Sequence, residues 1–332
     1  VGRRAGHGSA RDHGRAGRLA GAEAAVTGAA DGRGFGHGKV ILVGEHAVVH
    51  GHAAVAAGIS TGISVEARPG PGTLRIQSWG LDAAVGDGTP VGRALEAIQR
   101  RLETPPLAFE GDAQIPSRAG LGSSAAMAVA IARAAAAATG RGIAAETIEA
   151  AVQAAEEVFH GTPSGIDAAA AQSGRVGRFT RATGWQPIPV LQPITLCIGL
   201  SGKPRDTLAQ VAAVGRLRDR LATAGDALAL LGRLADDAAG ALAKGDVDGL
   251  GRIFDVAHGL LAAVRVSSPE LDTLVHAARA AGAVGAKLTG AGGGGAVIAL
   301  APAHERDVLA RWRAAGFQGF TAEIAATRPE AT

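Results

Sequence analysis

Tyrosine is absent from this chain, and aromatic residues make up only 3% of its 332 positions. A core built without them must be made of Ala, Val, Leu and Ile, which suits a sequence that is 47% apolar. Cysteine occurs once, as Cys197. A single thiol excludes an intrachain disulfide and fits a reducing, cytoplasmic compartment. Long apolar runs are also missing. The Ala-rich stretch near 125–138 is broken by Arg133, so no segment reads as a membrane span. The net charge is only +3, and residues 1–38 account for it, with six arginines against Asp12, Glu23 and Asp31. The rest is neutral and shows no basic stripe with interleaved aromatics, which argues against a nucleic-acid partner. Lysine is scarce as well: Lys39, Lys203, Lys244 and Lys287 stand against 29 arginines. Against that background a lysine marks a place where a compact point charge is wanted rather than a planar fork.

The length suggests two domains. Residues 1–34 are Gly, Ala, Arg and His without a sustained period, and read as a disordered tail or an over-extended gene start. Order is expected from about Phe35, with a buried strand at Val40–Val43. Further strands are expected at 53–69 and 73–78, and a helix at 90–102. Helices then follow from Ser123 to about Ala138 and from Ala144 to Phe159, the second closed by Gly161 and Pro163. A strand is expected within 188–199, a mostly helical run over 206–263 and a helix at 269–281. The chain then reads as a strand at 296–301, a helix at 303–315 and a strand at 319–325. This divides the chain into 35–190, an N-terminal domain, and 191–332, a C-terminal one.

Four segments carry chemistry. The most informative is Pro116–Ala126, a Gly-rich loop running into a helix. A helix start offers unpaired N–H groups and partial positive charge to an anion, and two serine hydroxyls, of Ser123 and Ser124, join it. No Gly-Lys-Ser/Thr closes the loop, so it is a phosphate cradle of another kind than the P-loop. The second segment, Gly38–Gly51, places Lys39 at the entrance of a strand and Glu45-His46 just beyond its end. The third, Glu156–Asp167, puts Glu156 and His160 on one helix face and Asp167 after a tight Pro-Ser-Gly turn. A carboxylate near bound nucleotide would hold Mg²⁺, and one fixed by such a turn could orient a hydroxyl and accept its proton. The fourth, Lys287–Ala296, has five glycines within six residues, which asks for another backbone or a ligand at close range. Each segment also has a plain reading as a surface lysine, a helix-end histidine or a generic glycine turn in a chain carrying 50 glycines.

In order and spacing the four segments together resemble the GHMP kinase superfamily, over about residues 35–325. Lys39–Gly51, His160–Asp167 and Lys287–Gly295 are most similar to its mevalonate kinases. The Asp-Tyr pair of a galactokinase does not follow Glu45-His46. The resemblance implies a two-domain α+β GHMP kinase fold. Its N-terminal domain would be ribosomal-protein-S5-domain-2-like α/β and bind ATP and Mg²⁺, and its C-terminal domain would be ferredoxin-like α+β. It further implies transfer of phosphate from ATP to the 5-hydroxyl of mevalonate. By position, Asp167 would be the catalytic base and Lys39 the lysine that activates the hydroxyl. Arg118, Ala119, Gly120, Leu121, Gly122, Ser123 and Ser124 would surround the ATP phosphates, and Ser124 and Glu156 would hold Mg²⁺. Lys39, Glu45, His46, Ser164 and Thr207 would border the substrate, and Gly290, Ala291, Gly292 and Gly293 would form the third-motif loop. No membrane partner is implied, and a homodimer stays open. Where the family usually has glycine this chain has Arg118, which is expected to turn outward or toward phosphate. Two alternatives stand beside this reading: another kinase of the superfamily, such as one acting on phosphomevalonate, and a non-catalytic nucleotide or metabolite sensor on the same fold.

Overall fold

The computed structural model describes residues 32–327, so most of the 1–34 segment lies outside the described residues. The first strand, β1 (Gly32–Val43), starts well before Val40 and a little before Phe35. The reason is a matched pair of periods. Gly32, Gly34 and Gly36 recur every two residues on one face of β1. Ala126, Ala130 and Ala134 recur every four on the next element to be packed there, helix α2 (Ser123–Ala138). Two strand residues advance about 6.6 Å and four helix residues about 6.0 Å, so the rows stay in step. A Cβ on Gly34 would lie 2.0 Å from the Ala130 carbonyl oxygen, and one on Gly36 would lie 2.0 Å from that of Ala126. The helix therefore rests on strand backbone, and what reads as low-complexity glycine is a packing surface.

β1 runs antiparallel along one side of β2 (Ala54–Pro69), from Gly32↔Ala67 to Val43↔Val55. The other side of β2 is shared by β5 (Leu107–Ala113) and β6 (Val176–Thr180). β3 (Thr73–Ile76) and β4 (Leu81–Ala84) extend the sheet beyond β5, and β7 (Gly184–Pro187) extends it beyond β6. The strand expected at 73–78 ends at Ile76, where a single 3₁₀ turn, Gln77–Trp79, intervenes. Three more helices cover this domain: α1 (Pro90–Arg101), α3 (Ala145–His160) and α4 (Ile166–Ser173). Thr89 caps α1 by accepting from the Gly92 N–H at 3.0 Å, with Pro90 in the first turn.

The second sheet has the order β11-β8-β10-β9 and is antiparallel throughout. It comprises β8 (Ile194–Leu200), β9 (Gly285–Thr289), β10 (Ala296–Leu300) and β11 (Gln318–Ile324). Numbered within the domain this is 4-1-3-2, the ferredoxin-like arrangement. The helical run after β8 is three helices, α5 (Thr207–Arg220), α6 (Ala222–Lys244) and α7 (Val247–Ala263), followed by α8 (Pro269–Ala280) and, between β10 and β11, α9 (Glu305–Ala314). Trp312 is the largest wholly buried side chain, and its indole N–H donates to the Leu274 carbonyl at 2.8 Å. The two domains touch through α6, whose Gly232 leaves room for His52, and through β11, whose Glu323 N–H donates to Ser60 Oγ at 2.9 Å. Among the described residues no helix is long and apolar enough to cross a membrane.

Candidate functional site

The site forms where β1 ends beneath the first glycine loop. The Lys39 N–H donates to the Leu121 carbonyl at 2.8 Å, so the loop is bonded to the strand it overlies. Gly122, at φ 71°, brings the loop backbone against the Lys39 side chain: a Cβ there would sit 3.1 Å from that of Lys39. From Ser123 the chain enters α2, whose N-terminus carries no side-chain cap, so the first-turn N–H groups are left without an intrahelical partner.

Lys39 is buried, and its Nζ lies 2.8 Å from Asp167 Oδ1. Asp167 comes from the first turn of α4, directed there by the left-handed Gly165. Burial alone would raise the Asp167 carboxyl. The Lys39 charge and hydrogen bond, followed by Arg205 and His160, outweigh it and hold the group below its usual range. The carboxylate is therefore ionised and paired at neutral pH.

Glu156, on α3, has the opposite character. It is about 1% exposed, and burial first, then the nearby Asp167 charge, push its carboxyl up to about 8. Ser124 bonds to it, which partly offsets that rise. Ser124 Oγ also lies 3.0 Å from His160 Nε2. The Oε1 atom of Glu156 is buried without a hydrogen-bond partner. An orphaned carboxylate oxygen beside a serine hydroxyl is an incomplete ligand set for a hard cation. Mg²⁺ characteristically takes one or two protein oxygens, with phosphate and water supplying the rest. No group of three or more His, Cys, Asp or Glu among the described residues could hold a metal unaided.

The third-motif loop closes the site from the other domain. His46, at φ 60° and buried, donates from Nε2 to the Ala291 carbonyl at 2.9 Å. Gly292 lies against the Val266 carbonyl, where a Cβ would approach to 2.1 Å, and the Gly293 N–H donates to that same oxygen at 2.8 Å. Much of this glycine content is therefore spent on protein backbone. The Glu45 carboxylate turns inward and pairs with Lys287, both wholly buried. Ser164 is half-buried and Thr207 is exposed at the start of α5. Neither makes a side-chain hydrogen bond to the Lys39–Asp167 pair. Arg118 is exposed at φ 59°, a left-handed conformation that glycine adopts without penalty.

One residue of the site was not singled out from the sequence. Arg205 lies between the two glycine loops: a Cβ on Gly120 would be 2.7 Å from its guanidinium carbon, and one on Gly290 would be 2.1 Å from its Nη1. Its Nη1 is buried without a partner, and its charge acts on Asp167, His46 and His160. In a chain with 29 arginines it could not stand out by composition. Only its place between Lys203 and Thr207 pointed to the region.

Comparison with known proteins adds the following. Residues 90–175 match the GHMP kinases N terminal domain and residues 238–318 the GHMP kinases C terminal domain. The chain is 37% identical over 310 residues to a mevalonate kinase of Aeropyrum pernix, covering 87% of this chain and 94% of that one. It is 34% identical to a mevalonate kinase of Pyrococcus horikoshii, covering 84% and 91%. Among solved structures, L. major mevalonate kinase in complex with R-mevalonate superposes with a TM-score of 0.80 at 29% identity, over 90% of this chain and 97% of that one. Lactococcus lactis galactokinase, at 20% identity and a TM-score of 0.69, shares the fold.

Proposed function

The chain belongs to the mevalonate kinase family of the GHMP kinases, and from that premise we propose that it transfers the γ-phosphoryl group of ATP to the 5-hydroxyl of mevalonate. The observation that carries the reading is the 2.8 Å Lys39–Asp167 pair, set against a helix-start phosphate loop and faced by the Arg205 guanidinium.

Phosphoryl transfer asks a protein mainly for positioning and charge neutralisation. Arg118–Ser124 and the first turn of α2 receive the phosphates. Asp167 accepts the hydrogen bond of the 5-hydroxyl. As the new O–P bond forms and the bond to the ADP oxygen breaks, it takes the proton. Its depressed pKa makes it a weak base, so the proton leaves late, after the hydroxyl oxygen has lost most of its electron density to phosphorus. Lys39 neutralises the charge that collects between nucleophile and phosphate, and Arg205 does so from the opposite domain. Glu156 and Ser124 are the residues that would hold Mg²⁺, which when bound supplies charge neutralisation to the phosphate oxygens. His46, Ser164 and Thr207 border the substrate, and Glu45 supports that wall from beneath through Lys287. The single buried thiol, Cys197, suits a cytoplasmic setting.

Coupled ADP release with mevalonate, compared with phosphomevalonate and with no alcohol, tests the proposal. Turnover with mevalonate alone is expected, together with its loss in Asp167→Asn while ATP binding persists. Preference for phosphomevalonate, or nucleotide binding without turnover on either alcohol, would overturn it.

A further inference from the structure

Lys287 is fully buried and pairs with Glu45 rather than with Asp167. Its ammonium spends its donors in three diverging directions: on the Glu45 carboxylate, on the Leu288 carbonyl at 2.6 Å and on the Ile41 carbonyl at 3.4 Å. The Phe254 ring lies 5.8 Å away and closes the remaining side. A planar guanidinium cannot serve a tripod of acceptors, which accounts for lysine here in a chain that otherwise favours arginine. Two residues on, Thr289 Oγ1 accepts from the Ile41 N–H at 2.9 Å and donates to the Ile41 carbonyl at 3.0 Å. Both backbone polar groups of Ile41 are thus held by side chains of β9, the edge strand of the other domain. Ile41 lies where the β1–β2 register shifts, between Ile41 and Val43. Lys39 is two residues upstream on the same face of the strand.

We propose that Lys287 and Thr289 are positioning residues. By gripping Ile41 and Glu45 from the C-terminal domain, they fix the end of β1 so that Lys39 meets Asp167 and the first glycine loop in register. The role rests on the phosphoryl-transfer reading above. The clasp, not the third glycine loop alone, sets the spacing between the two halves of the site.

The test compares Lys287→Met, the double variant Glu45→Gln/Lys287→Met, Thr289→Val and Thr289→Ser, with kinetics taken well below each melting temperature. Lys287→Met leaves Glu45 buried and unpaired, and its melting temperature is expected to fall by roughly ten degrees or more. The double variant buries no charge and should regain most of that loss. Its kcat should nevertheless stay about tenfold or more below wild type, with KM for ATP within about threefold. Thr289→Val should lose kcat in the same way, and Thr289→Ser should restore it. If the double variant recovers kcat along with stability, or Thr289→Val keeps wild-type kcat, the proposal fails. Should Lys287→Met not fold, the double variant and the Thr289 pair decide. Amide exchange at Lys39 reads the same displacement without any substrate. It should quicken in Thr289→Val, and unchanged protection would overturn the clasp. Wild-type turnover on mevalonate is judged separately, so failure of the substrate reading is distinguishable from failure of the clasp.

Discussion

Replacing Glu156 with glutamine separates the buried proton of this carboxyl from the cation-binding role proposed for it. With its pKa pushed to about 8 by burial and by Asp167, the group is protonated in most molecules at pH 7 when no cation is bound. Ionising it there costs about 1.4 kcal/mol, one pKa unit, so cation binding is masked about tenfold. Cation affinity in the presence of ATP should therefore climb about tenfold per pH unit up to pH 8 and then level off, with close to one proton released per site below that point. The same linkage is expected to act on the free protein with the opposite consequence. A carboxyl whose folded pKa is raised above its ordinary 4.5 stabilises the fold fully below that value. The contribution is lost as pH rises toward 8, at up to about 1.4 kcal/mol per unit. The amide of the variant has no such proton to lose. Glu156→Gln should flatten the fall in melting temperature between pH 5 and 8, cost the metal-free protein little at pH 7, and abolish the pH-dependent part of Mg²⁺ binding. Calorimetric titration of Mg²⁺ with ATP, in two buffers of different ionisation enthalpy, counts the protons. Nucleotide ionisation is common to both proteins and cancels in the comparison. Asp167→Asn removes the second cause of the shift and should move the wild-type inflection downward. Equal proton release from wild type and Glu156→Gln at pH 7, or parallel melting profiles across the range, would refute the reasoning.

Gly34→Ala would drive a methyl to 2.0 Å from the Ala130 carbonyl oxygen. A loss of about 3 kcal/mol is expected, read as a melting temperature lowered by roughly 6–12 °C. Arg118→Gly relieves a left-handed residue at φ 59°, worth about 1–2 kcal/mol. It also adds about 0.4–1 kcal/mol of unfolded-state entropy, so the net gain is at most about 1.5 kcal/mol and the melting temperature should rise by no more than about 6 °C. Arg205→Lys keeps the charge but loses the fork that spans both glycine loops, and kcat should drop about a hundredfold with little change in melting temperature.

The candidate site residues stood out in the sequence because they sit at element ends, where turn residues announce themselves. Gly44 follows β1, Gly165 precedes Asp167, and the double serine opens α2. The helices of the C-terminal domain were equally open to reading, since Ala and Leu repeat there with helical period. The first residues of β1 were hidden because every second one, from Gly32 to Gly38, is glycine, and a strand face that rests on helix backbone has no apolar alternation to display. Strands β4, β6 and β7 span four or five residues each and are held by pairing with distant neighbours rather than by local preference. Glu45 illustrates a different limit. Its place beside His46 suggested the substrate wall, but the direction of its carboxylate depends on Lys287, 242 residues away.

The seating of α2 on β1 bears on how the site responds to heat. Contacts between side chains loosen with temperature because further rotamers become populated. At Gly34 and Gly36 the contact is main chain against main chain, and it has no rotamers to populate. The same helix follows the first glycine loop and the same strand carries Lys39. The span between the Lys39 amine and that loop is thus fixed by atoms that every residue shares, and it should hold nearly constant until the domain itself melts.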